Sequence, residues 1–538
     1  MPLRLGNLSV LVALTISTPM LFIASFATGQ TAVTTYHVDN NRTGWNSHET
    51  VLTPTNVASA SFALLQTVTL DAQVDSQPLF VPAVNITAGT HQGLHDVVYV
   101  VTEGDTIYAI DAEAGTVLLS PNFGTSNGAP LPCTSKKLKF GILSTPVIDL
   151  TSNTMYAMIY TLDSTGPAYR IHALDLGSLT DKVTPQLVVA SHTLVDGTTF
   201  NFNATFQMQR PGLLMANGNI YAAFGGFCDS NVSVTRGMVL GWSTGTLTPL
   251  PSNATLVTQV TSPNDYFLTS IWMSGYGLST DDSGNLLFVT GNSDPSGTTY
   301  DGVTDIQESV VKVSPDLSNV LDVFTPFTQP SLDAVDNDFG AGGVMVLPDQ
   351  PGSLPHLAVA AGKDGNLYLM NEDHLGGFST TKNNVLGTYP IGGCWCGPSY
   401  YVDHTDGLGR VVTSGGYNVE VFKVVAAAHK TALTKVSTSA TIAGVNHLGF
   451  FTAISSNGTA NPLIWAVSHP ASGTAGAPLY LYAFNPESVS AGTMHQVRKI
   501  AAGTGNPPNL VPTVANGEVF VASSGELKIF GLKEAHKK

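Results

Sequence analysis

The chain has 538 residues, of which 53 are glycine and only 11% are charged, and its formal net charge is −16. This length fits either several domains or one large repetitive β-architecture. The acidic balance excludes a surface that tracks phosphates, because nucleic-acid binders present basic patches, and it equally disfavours an anionic membrane as a partner.

The N-terminus has the pattern of an export signal. Arg4 precedes the apolar run LSVLVALTISTPMLFIASFA, and Ser25-Phe26-Ala27 supplies small residues suited to cleavage. The sequence therefore predicts a signal peptide at residues 1–27, a secreted or periplasmic mature protein, and no membrane contact after cleavage. Retention of the apolar run as an anchor is the alternative, although Pro19 interrupts it and the flank that follows is not basic.

The segment TYHVDNNRTGWN, residues 35–46, follows the signal and precedes the first repeat. A ring of blades is closed when one end of the chain pairs with the other, which removes exposed strand edges. We therefore expect residues 35–46 to complete the last blade.

Eight repeats follow, each composed of a strand, a turn and a second strand, as in DVVYVVTEGDTIYAIDAEAG. They begin at Asp96, Ser152, Asn217, Ser283, Leu354, Leu408, Pro462 and Asn516. The starts differ by roughly 50 to 70 residues, which is enough for a four-stranded blade, and no composition break separates them. The predicted fold is all-β, a single eight-bladed β-propeller over residues 35–533. A solenoid is the alternative, but nothing resembles a polar terminal cap.

A second element, often carrying proline or glycine, precedes each repeat and predicts the innermost strands. Examples are LSTPVID, NDFGAGGVMVLP and CWCGPSYY. If the four strands of a blade run up and down, the entry to the first strand and the turn after the second lie on one face of the ring. The polar residues that this rule places at that mouth of the central channel are Gln77, Gln209, Arg210, Trp272, Asp338, Trp395 and His447 at strand entries, and Asp229, Asn292 and Lys363 at the ends of second strands.

Three acids, Asp333, Asp336 and Asp338, stand directly before the apolar first strand of the fifth repeat. A buried carboxylate is costly unless it is paired or bound to a metal, so the sequence predicts a cation or cofactor beside Asp338.

The repeats resemble those of the quinoprotein alcohol dehydrogenases, eight-bladed propellers that bind pyrroloquinoline quinone (PQQ). The resemblance runs over most of the mature chain and is carried by four segments in the family order: TSIWMSGYGL, LLFVTGNSD, NDFGAGGVMVLPD and VAAGKDGNLYLMN. It implies PQQ and calcium as cofactors and an alcohol or sugar hydroxyl as the substrate.

The resemblance also implies roles for single residues. Asp338 matches the catalytic base beside the metal, with Asp336 as the second choice. Trp272 matches the tryptophan that stacks under the quinone, and Lys363 the basic residue that contacts it. Asn292 matches an asparagine ligand of calcium, while the family's glutamate ligand is represented at best by Asp229.

The cysteines depart from the family pattern. The adjacent cysteine pair of many such dehydrogenases is absent, since Cys133 stands alone, and no C-x-x-C-H haem motif occurs, so electrons would leave through a separate acceptor. The chain has four cysteines, the others being Cys228, Cys394 and Cys396. In an oxidising compartment cross-blade disulfides are the plainest expectation, with the pairing open.

Three functions remain open from the sequence. The first is a PQQ- and calcium-dependent dehydrogenase, expected as a monomer. The second is a propeller without cofactor that serves as a secreted binding or scaffolding module. The third is a carbohydrate-active lyase or hydrolase, for which His447 and Arg210 would be the nearest base and charge neutraliser, because a fold does not fix its chemistry.

Overall fold

A computed structural model describes residues 31–128, 139–193, 197–227, 235–255, 270–292, 306–427, 430–442, 449–468, 476–504 and 510–533. These residues are almost entirely β-structure, arranged as eight blades around an axis. The predicted eight-bladed propeller is therefore confirmed. The predicted signal peptide, Cys133, Cys228, Asp229 and His447 lie outside the described residues.

The first four blades follow the chain in order, each starting with its innermost strand. Blade 1 contains Leu79–Ile86, Gly93–Val101, Ile107–Asp111 and Val117–Leu119. Blade 2 contains Val147–Asp149, Thr154–Asp163, Gly166–Asp175 and Gln186–Leu187. In blade 3, Gln207–Gln209 and Leu214–Ala216 both pair with Asn219–Gly226, which pairs with Met238–Ser243. Blade 4 contains Ser279–Thr280, Leu286–Val289, Val310–Val313 and Val320–Thr325, with Gly377–Phe378 added in parallel.

The remaining blades follow the same plan until the last. Blade 5 contains Val344–Val346, Leu357–Ala361, Asn366–Asn371 and Gly387–Pro390. Blade 6 contains Ser399–Val402, Gly409–Gly415, Asn418–Ala427 and Lys430–Thr438. Blade 7 contains Thr452–Asn457, Ala460–Val467, Pro478–Ser490 and Thr493–Thr504. Blade 8 contains Thr513–Ala515, Glu518–Leu532 and, from the other end of the chain, Phe62–Gln73.

Elements outside the blades are short. Ser191–Thr193 and Thr199–Asn201 form a separate hairpin, and Trp45–Asn46 pairs in parallel with Thr452–Asn457. The helices are Pro54–Ala58, Pro251–Thr255 and Gln329–Asp333, with 3₁₀ turns at Met273–Gly275 and Phe339–Ala341. Within the described ranges no helix is both long and apolar enough to cross a bilayer.

The hydrophobic core is divided into clusters that lie between neighbouring blades. Side chains of blades 1 and 2 share one cluster, and those of blades 8 and 1 share another, so the series closes on itself. Because each blade packs on both faces, its middle strands are apolar without alternation, as in Leu286–Val289 and Leu357–Ala361, where every residue is buried.

The ring is closed by Phe62–Gln73, which pairs antiparallel with the C-terminal strand. The prediction that residues 35–46 complete the last blade is wrong. That segment lacks the alternating pattern of an outer strand, whereas FALLQTVTLDAQ alternates between exposed and buried residues from Thr67 to Asp71.

Residues 33–46, called here the N-terminal strap, instead pass along the innermost strands of all eight blades. The strap bonds to each blade in chain order. Its partners in blades 1 to 8 are Phe80, Ile148, Met215, Thr280, Val346, Tyr400, Ile454 and Val514, at donor–acceptor distances of 2.7–3.1 Å. One segment of the chain therefore fixes the angular position of every blade.

Arg42 is the centre of the strap and is completely buried. Its guanidinium donates to the carbonyl oxygens of Leu213 in blade 3 and Leu278, and within the strap to the Thr35 hydroxyl and two further carbonyls. Burial lowers the pKa of Arg42 to about 10, so the side chain remains charged at neutral pH. The Arg42 guanidinium is therefore stabilised by hydrogen bonds to carbonyl oxygens and a hydroxyl group.

We expect Arg42→Met to lower the free energy of unfolding by about 3 kcal/mol, because it leaves several buried carbonyls without a donor. Urea denaturation followed by intrinsic fluorescence measures this. Arg170→Met is the matched control, since Arg170 is partly exposed in a surface pair with Asp163 and should cost less than about 1 kcal/mol. Equal losses for the two variants would contradict the central role of the strap.

Asp105, in the turn after the second strand of blade 1, is fully buried, and neither carboxyl oxygen has a hydrogen-bond partner among the described residues. Burial, reinforced by the charge of Asp71, raises the pKa of Asp105 to about 8. The folded state therefore keeps a proton that the unfolded chain loses above about pH 4. The stability that this group contributes is complete below that pH and is lost as the pH rises towards 8.

We expect Asp105→Asn to reduce the loss of stability between pH 5 and pH 8 by about 1–3 kcal/mol relative to the parent. Urea midpoints at the two pH values measure this difference. Asp316→Asn serves as the control, because hydrogen bonds from Ser314 and Ser318 lower the pKa of Asp316, and its contribution changes only under more acidic conditions. Identical pH dependence in Asp105→Asn and the parent would refute the assignment.

Candidate functional site

The candidate site is built on two loops of blade 5 that the predicted face rule places together. Asp338 precedes the turn Phe339–Ala341 that leads into the innermost strand, and Lys363 lies in the turn after Leu357–Ala361. The Lys363 ammonium donates to Asp338 Oδ2 at 2.6 Å, and the Lys363 backbone N–H donates to the Asp338 carbonyl at 3.0 Å. The carboxylate and ammonium are 3% and 10% exposed, so this is a buried ion pair.

The glycines around Asp338 allow these loops to approach closely. A Cβ at Gly340 would overlap the backbone of Thr290 and Gly291, and a Cβ at Gly362 would overlap Phe339. The glycine-rich run after the three acids is therefore required by backbone contact between blades 4 and 5.

Asn292, at the end of the second strand of blade 4, joins the same site. Its backbone N–H donates to Asp338 Oδ1 at 3.0 Å, and its side-chain amide donates to Asp336 Oδ1 at 3.2 Å. The Asn292 Oδ1 atom is buried and has no hydrogen-bond partner within the described residues. Asp336 itself is 77% exposed, with its carboxylate 3.4 Å from Lys363 Nζ.

Two tryptophans flank Lys363. Its ammonium lies 5.6 Å from the ring centroid of Trp272 and 5.4 Å from that of Trp395, both within cation–π range. The two rings are 6.0 Å apart at an interplanar angle of 86°. In the described part of the chain, Trp272 Nε1 is a buried donor with no acceptor. A flat ligand with oxygen acceptors would find both an aromatic surface and unused polar atoms here.

Burial raises the pKa of Asp338, and Lys363 and the Asn292 N–H only partly offset that rise. Burial also opposes ionisation of Lys363, but Asp338 and Asp336 outweigh it, so the pKa of Lys363 is raised. Asp338 is thus a carboxylate with increased basicity beside a firmly protonated amine. This is a suitable arrangement for accepting a proton from a hydroxyl group.

Glu308 is a residue of this site that the sequence reasoning missed. It is fully buried, its Oε2 accepts from the Phe339 N–H at 2.6 Å, and its Oε1 has no partner in the described structure. Burial, followed by the charge of Asp338, raises the pKa of Glu308 well above its usual range. The only signal in the sequence is an acid two residues before the buried strand Val310–Val313.

Cys394 and Cys396 form a disulfide with each other, on either side of Trp395. The expectation of cross-blade disulfides is therefore wrong for this pair. The bridge closes within a single connection between blades 5 and 6, because the chain bends at Trp395 and brings the two Cα atoms to 5.1 Å.

Three other predicted rim residues are not in contact with this group. Gln77 accepts from the His37 N–H of the strap, and Gln209 donates to the Pro211 carbonyl. Arg210 is buried and donates to the carbonyl oxygens of Asp75 and Leu143. Gln77 and Arg210 thus bond to the strap and to the backbone of blades 1 and 2, which the face rule alone could not distinguish from the rim.

A group of metal-ligating side chains lies away from Asp338 in the described part of the chain. Within the described ranges, three His, Cys, Asp or Glu ligands converge in only one place, Asp403, His404 and Glu487, and there Asp403 already pairs with Arg410 at 2.9 Å. A cation at the channel mouth would therefore need amide and cofactor oxygens besides Asp338.

Solved structures with the same fold include two quinohemoprotein alcohol dehydrogenases and a methanol dehydrogenase. The quinohemoprotein alcohol dehydrogenase from Comamonas testosteroni aligns with a TM-score of 0.59 and 12% identity over 93% of this chain and 80% of that chain. A europium-containing methanol dehydrogenase aligns with a TM-score of 0.58 and 11% identity over 94% and 99%. Quinohemoprotein alcohol dehydrogenase ADHIIG from Pseudomonas putida HK5 aligns with a TM-score of 0.58 and 13% identity, over 93% of this chain and 80% of that chain. No protein-family model and no curated protein matches the sequence. The likeness shows a propeller of the quinoprotein alcohol dehydrogenase type.

We expect Lys363→Met to lower the free energy of unfolding by about 3 kcal/mol, because it leaves the Asp338 carboxylate buried without its counter-ion. Adding Asp338→Asn should recover at least half of that loss, which a double-mutant cycle in urea measures. Lys435→Met is the control, since Lys435 pairs with Glu420 at the surface and should cost less than about 0.5 kcal/mol. A loss in the double variant equal to the sum of the single losses would mean that the pair carries no coupling.

Proposed function

We propose that the protein is an exported dehydrogenase of the quinoprotein type, which binds PQQ and calcium at the channel mouth and oxidises an alcohol or sugar hydroxyl. The mature propeller would comprise residues 35–533 after removal of the signal peptide at residues 1–27, and would act as a monomer in the periplasm or outside the cell. The observation that carries the proposal is the buried Lys363–Asp338 pair between two tryptophans, on a fold shared with such enzymes.

The residues present fit the cofactor. Trp272 offers a ring face and an unused Nε1–H, and Lys363 offers a cationic donor for quinone oxygens. Asn292 offers an unused amide oxygen beside the Asp338 carboxylate. Amide and carboxylate oxygens are the ligand types that calcium prefers. Gly291 keeps the space between them open, since a Cβ there would lie 3.3 Å from both Asp338 Oδ1 and Trp272 Nε1. Asp229 would be the further acidic ligand.

When bound, the quinone would supply the hydride acceptor and calcium the Lewis acid. Asp338 would take the proton of the substrate hydroxyl on a carboxylate oxygen, and its raised pKa favours that transfer. Lys363 would hold this carboxylate in place and stabilise negative charge in the site. Trp272 would orient the flat ring by stacking, and Asp336, at the exposed edge, would be the second choice of base. A separate electron acceptor would complete the cycle.

A binding or scaffolding module without cofactor is the second candidate. The specific observation in its favour is that Lys363 already balances the charge of Asp338, so the site needs no metal for stability. A lyase receives less support, because Arg210 is bonded to backbone carbonyls inside the ring.

Titration of the mature protein with PQQ and calcium tests the proposal. We expect binding with a perturbed quinone absorbance, and no binding at high micromolar PQQ would favour the scaffold. Asp338→Asn should lower kcat by a factor on the order of 100 or more, because it removes the proton acceptor. Trp272→Ala should weaken PQQ affinity, with added PQQ partly restoring the rate.

Asp333→Ala is the matched control for these variants. Asp333 ends the helix Gln329–Asp333, five residues before Asp338, so its alanine variant should keep parental PQQ affinity and kcat. If Asp338→Asn and Asp333→Ala were equally active, Asp338 would not be the base.

A further inference from the structure

The tripeptide Cys394-Trp395-Cys396 has a geometry that presents its tryptophan to the site. Both cysteines are fully buried and are joined to each other, whereas Trp395 between them is partly exposed. The Cα atoms of Cys394 and Cys396 are 5.1 Å apart, closer than the roughly 6.6 Å of an extended strand, so the chain bends at Trp395. The bridge therefore anchors both ends of this bend in the core, and the Trp395 ring at its apex lies against the Lys363 ammonium.

The tripeptide also contacts both neighbouring blades. The Cys394 N–H donates to the Gly362 carbonyl of blade 5 at 3.2 Å, and Cys396 Sγ lies 3.0 Å from the Ser414 carbonyl of blade 6. A Cβ on Gly342 would lie 2.8 Å from the Cys396 carbonyl oxygen. The segment is thus seated directly beside the turn that carries Lys363.

Lys363 needs such a restraint because a lysine side chain is flexible and its ammonium is a point charge without directional preference. Trp395 and Trp272 form a perpendicular corner around this ammonium, at 5.4 and 5.6 Å from the ring centroids. Between these two rings the Lys363 ammonium contacts the buried Asp338 carboxylate, and the exposed Asp336 is its other carboxylate contact.

We propose that Trp395, fixed by the Cys394–Cys396 disulfide, is a positioning residue that keeps the Lys363 ammonium on Asp338. Its bearing on quinone binding rests on the proposed function, whereas its effect on Lys363 does not. Both cysteines are completely buried, so a reductant in solution does not reach the disulfide in the folded protein. The disulfide is therefore structural and not redox-regulated.

The test measures how readily Lys363 is acetylated by an N-hydroxysuccinimide ester, with mass spectrometry of the full mature protein without cofactor. Trp395→Leu, which keeps apolar volume but removes the π face, should raise the acetylation rate of Lys363 roughly three- to ten-fold. The double variant Cys394→Ser/Cys396→Ser, which keeps the tryptophan, should do the same. Trp395→Phe, which keeps a π face, should stay within about two-fold of the parent.

Lys312 is the internal control in every sample. Its side chain is 11% exposed and lies 2.6 Å from Asp281 in another buried ion pair, within blade 4. An unchanged Lys312 rate shows that the propeller is intact. If the double serine variant unfolds, so that Lys312 is also acetylated faster, Trp395→Leu with its disulfide present decides the result.

Lys363 acetylation within about two-fold of the parent in Trp395→Leu would overturn the proposal. A rise in Trp395→Leu with none in an intact double serine variant would overturn the role assigned to the bridge. PQQ titration distinguishes this inference from the proposed function. A parent that fails to bind PQQ overturns the enzyme proposal alone, whereas a binding parent should lose affinity roughly three- to ten-fold in Trp395→Leu.

Discussion

The structure depends on the N-terminal strap and on the buried guanidinium of Arg42 at its centre. A propeller blade has strong contacts only with its two neighbours, so small errors in rotation would accumulate around the ring. Residues 33–46 prevent this by hydrogen bonding to the innermost strand of every blade in turn. Arg42 stabilises the strap from within, because its donors are satisfied by carbonyls of the strap and of two segments more than 170 residues away.

The strap also reaches the candidate site through Tyr276. The Tyr276 hydroxyl lies 3.0 Å from the carbonyl oxygens of both Arg42 and Pro398, either of which can accept its proton, and its ring packs edge-on against Tyr36 and His37 of the strap. The same short turn begins at Trp272, and its Ser274 hydroxyl donates to the Ala341 carbonyl at 2.6 Å, in the turn that follows Asp338. The tryptophan and the aspartate are therefore positioned by one continuous set of hydrogen bonds that starts at the strap.

The electrostatics of the site follow from its burial. Asp338 could not remain ionised at 2% exposure without a counter-charge, and Lys363 supplies it in the absence of any ligand. Glu308 is equally buried, and burial followed by the charge of Asp338 raises its pKa well above the usual range. The Asp338 carboxylate thus has an ammonium partner, and buried polar atoms without a partner in the described structure remain on Trp272 and Asn292.

Periodicity by itself determined the blades and their innermost strands, because every repeat must present the same apolar strands to its neighbours. The up-and-down order of strands was also enough to bring Asp338, Lys363, Asn292 and Trp395 to one face, together with Trp272. Tertiary structure alone decided the rest. The strap has no β pattern, and its partners lie up to 468 residues away, so no local signal announces it. The face rule places Arg210 and Gln77 beside Lys363, but both form hydrogen bonds elsewhere. The roles of Glu308 and of the Cys394–Cys396 bridge depend on neighbours in other loops. A repeat pattern records which residues face a core, whereas the partner of a buried polar atom depends on where distant segments meet.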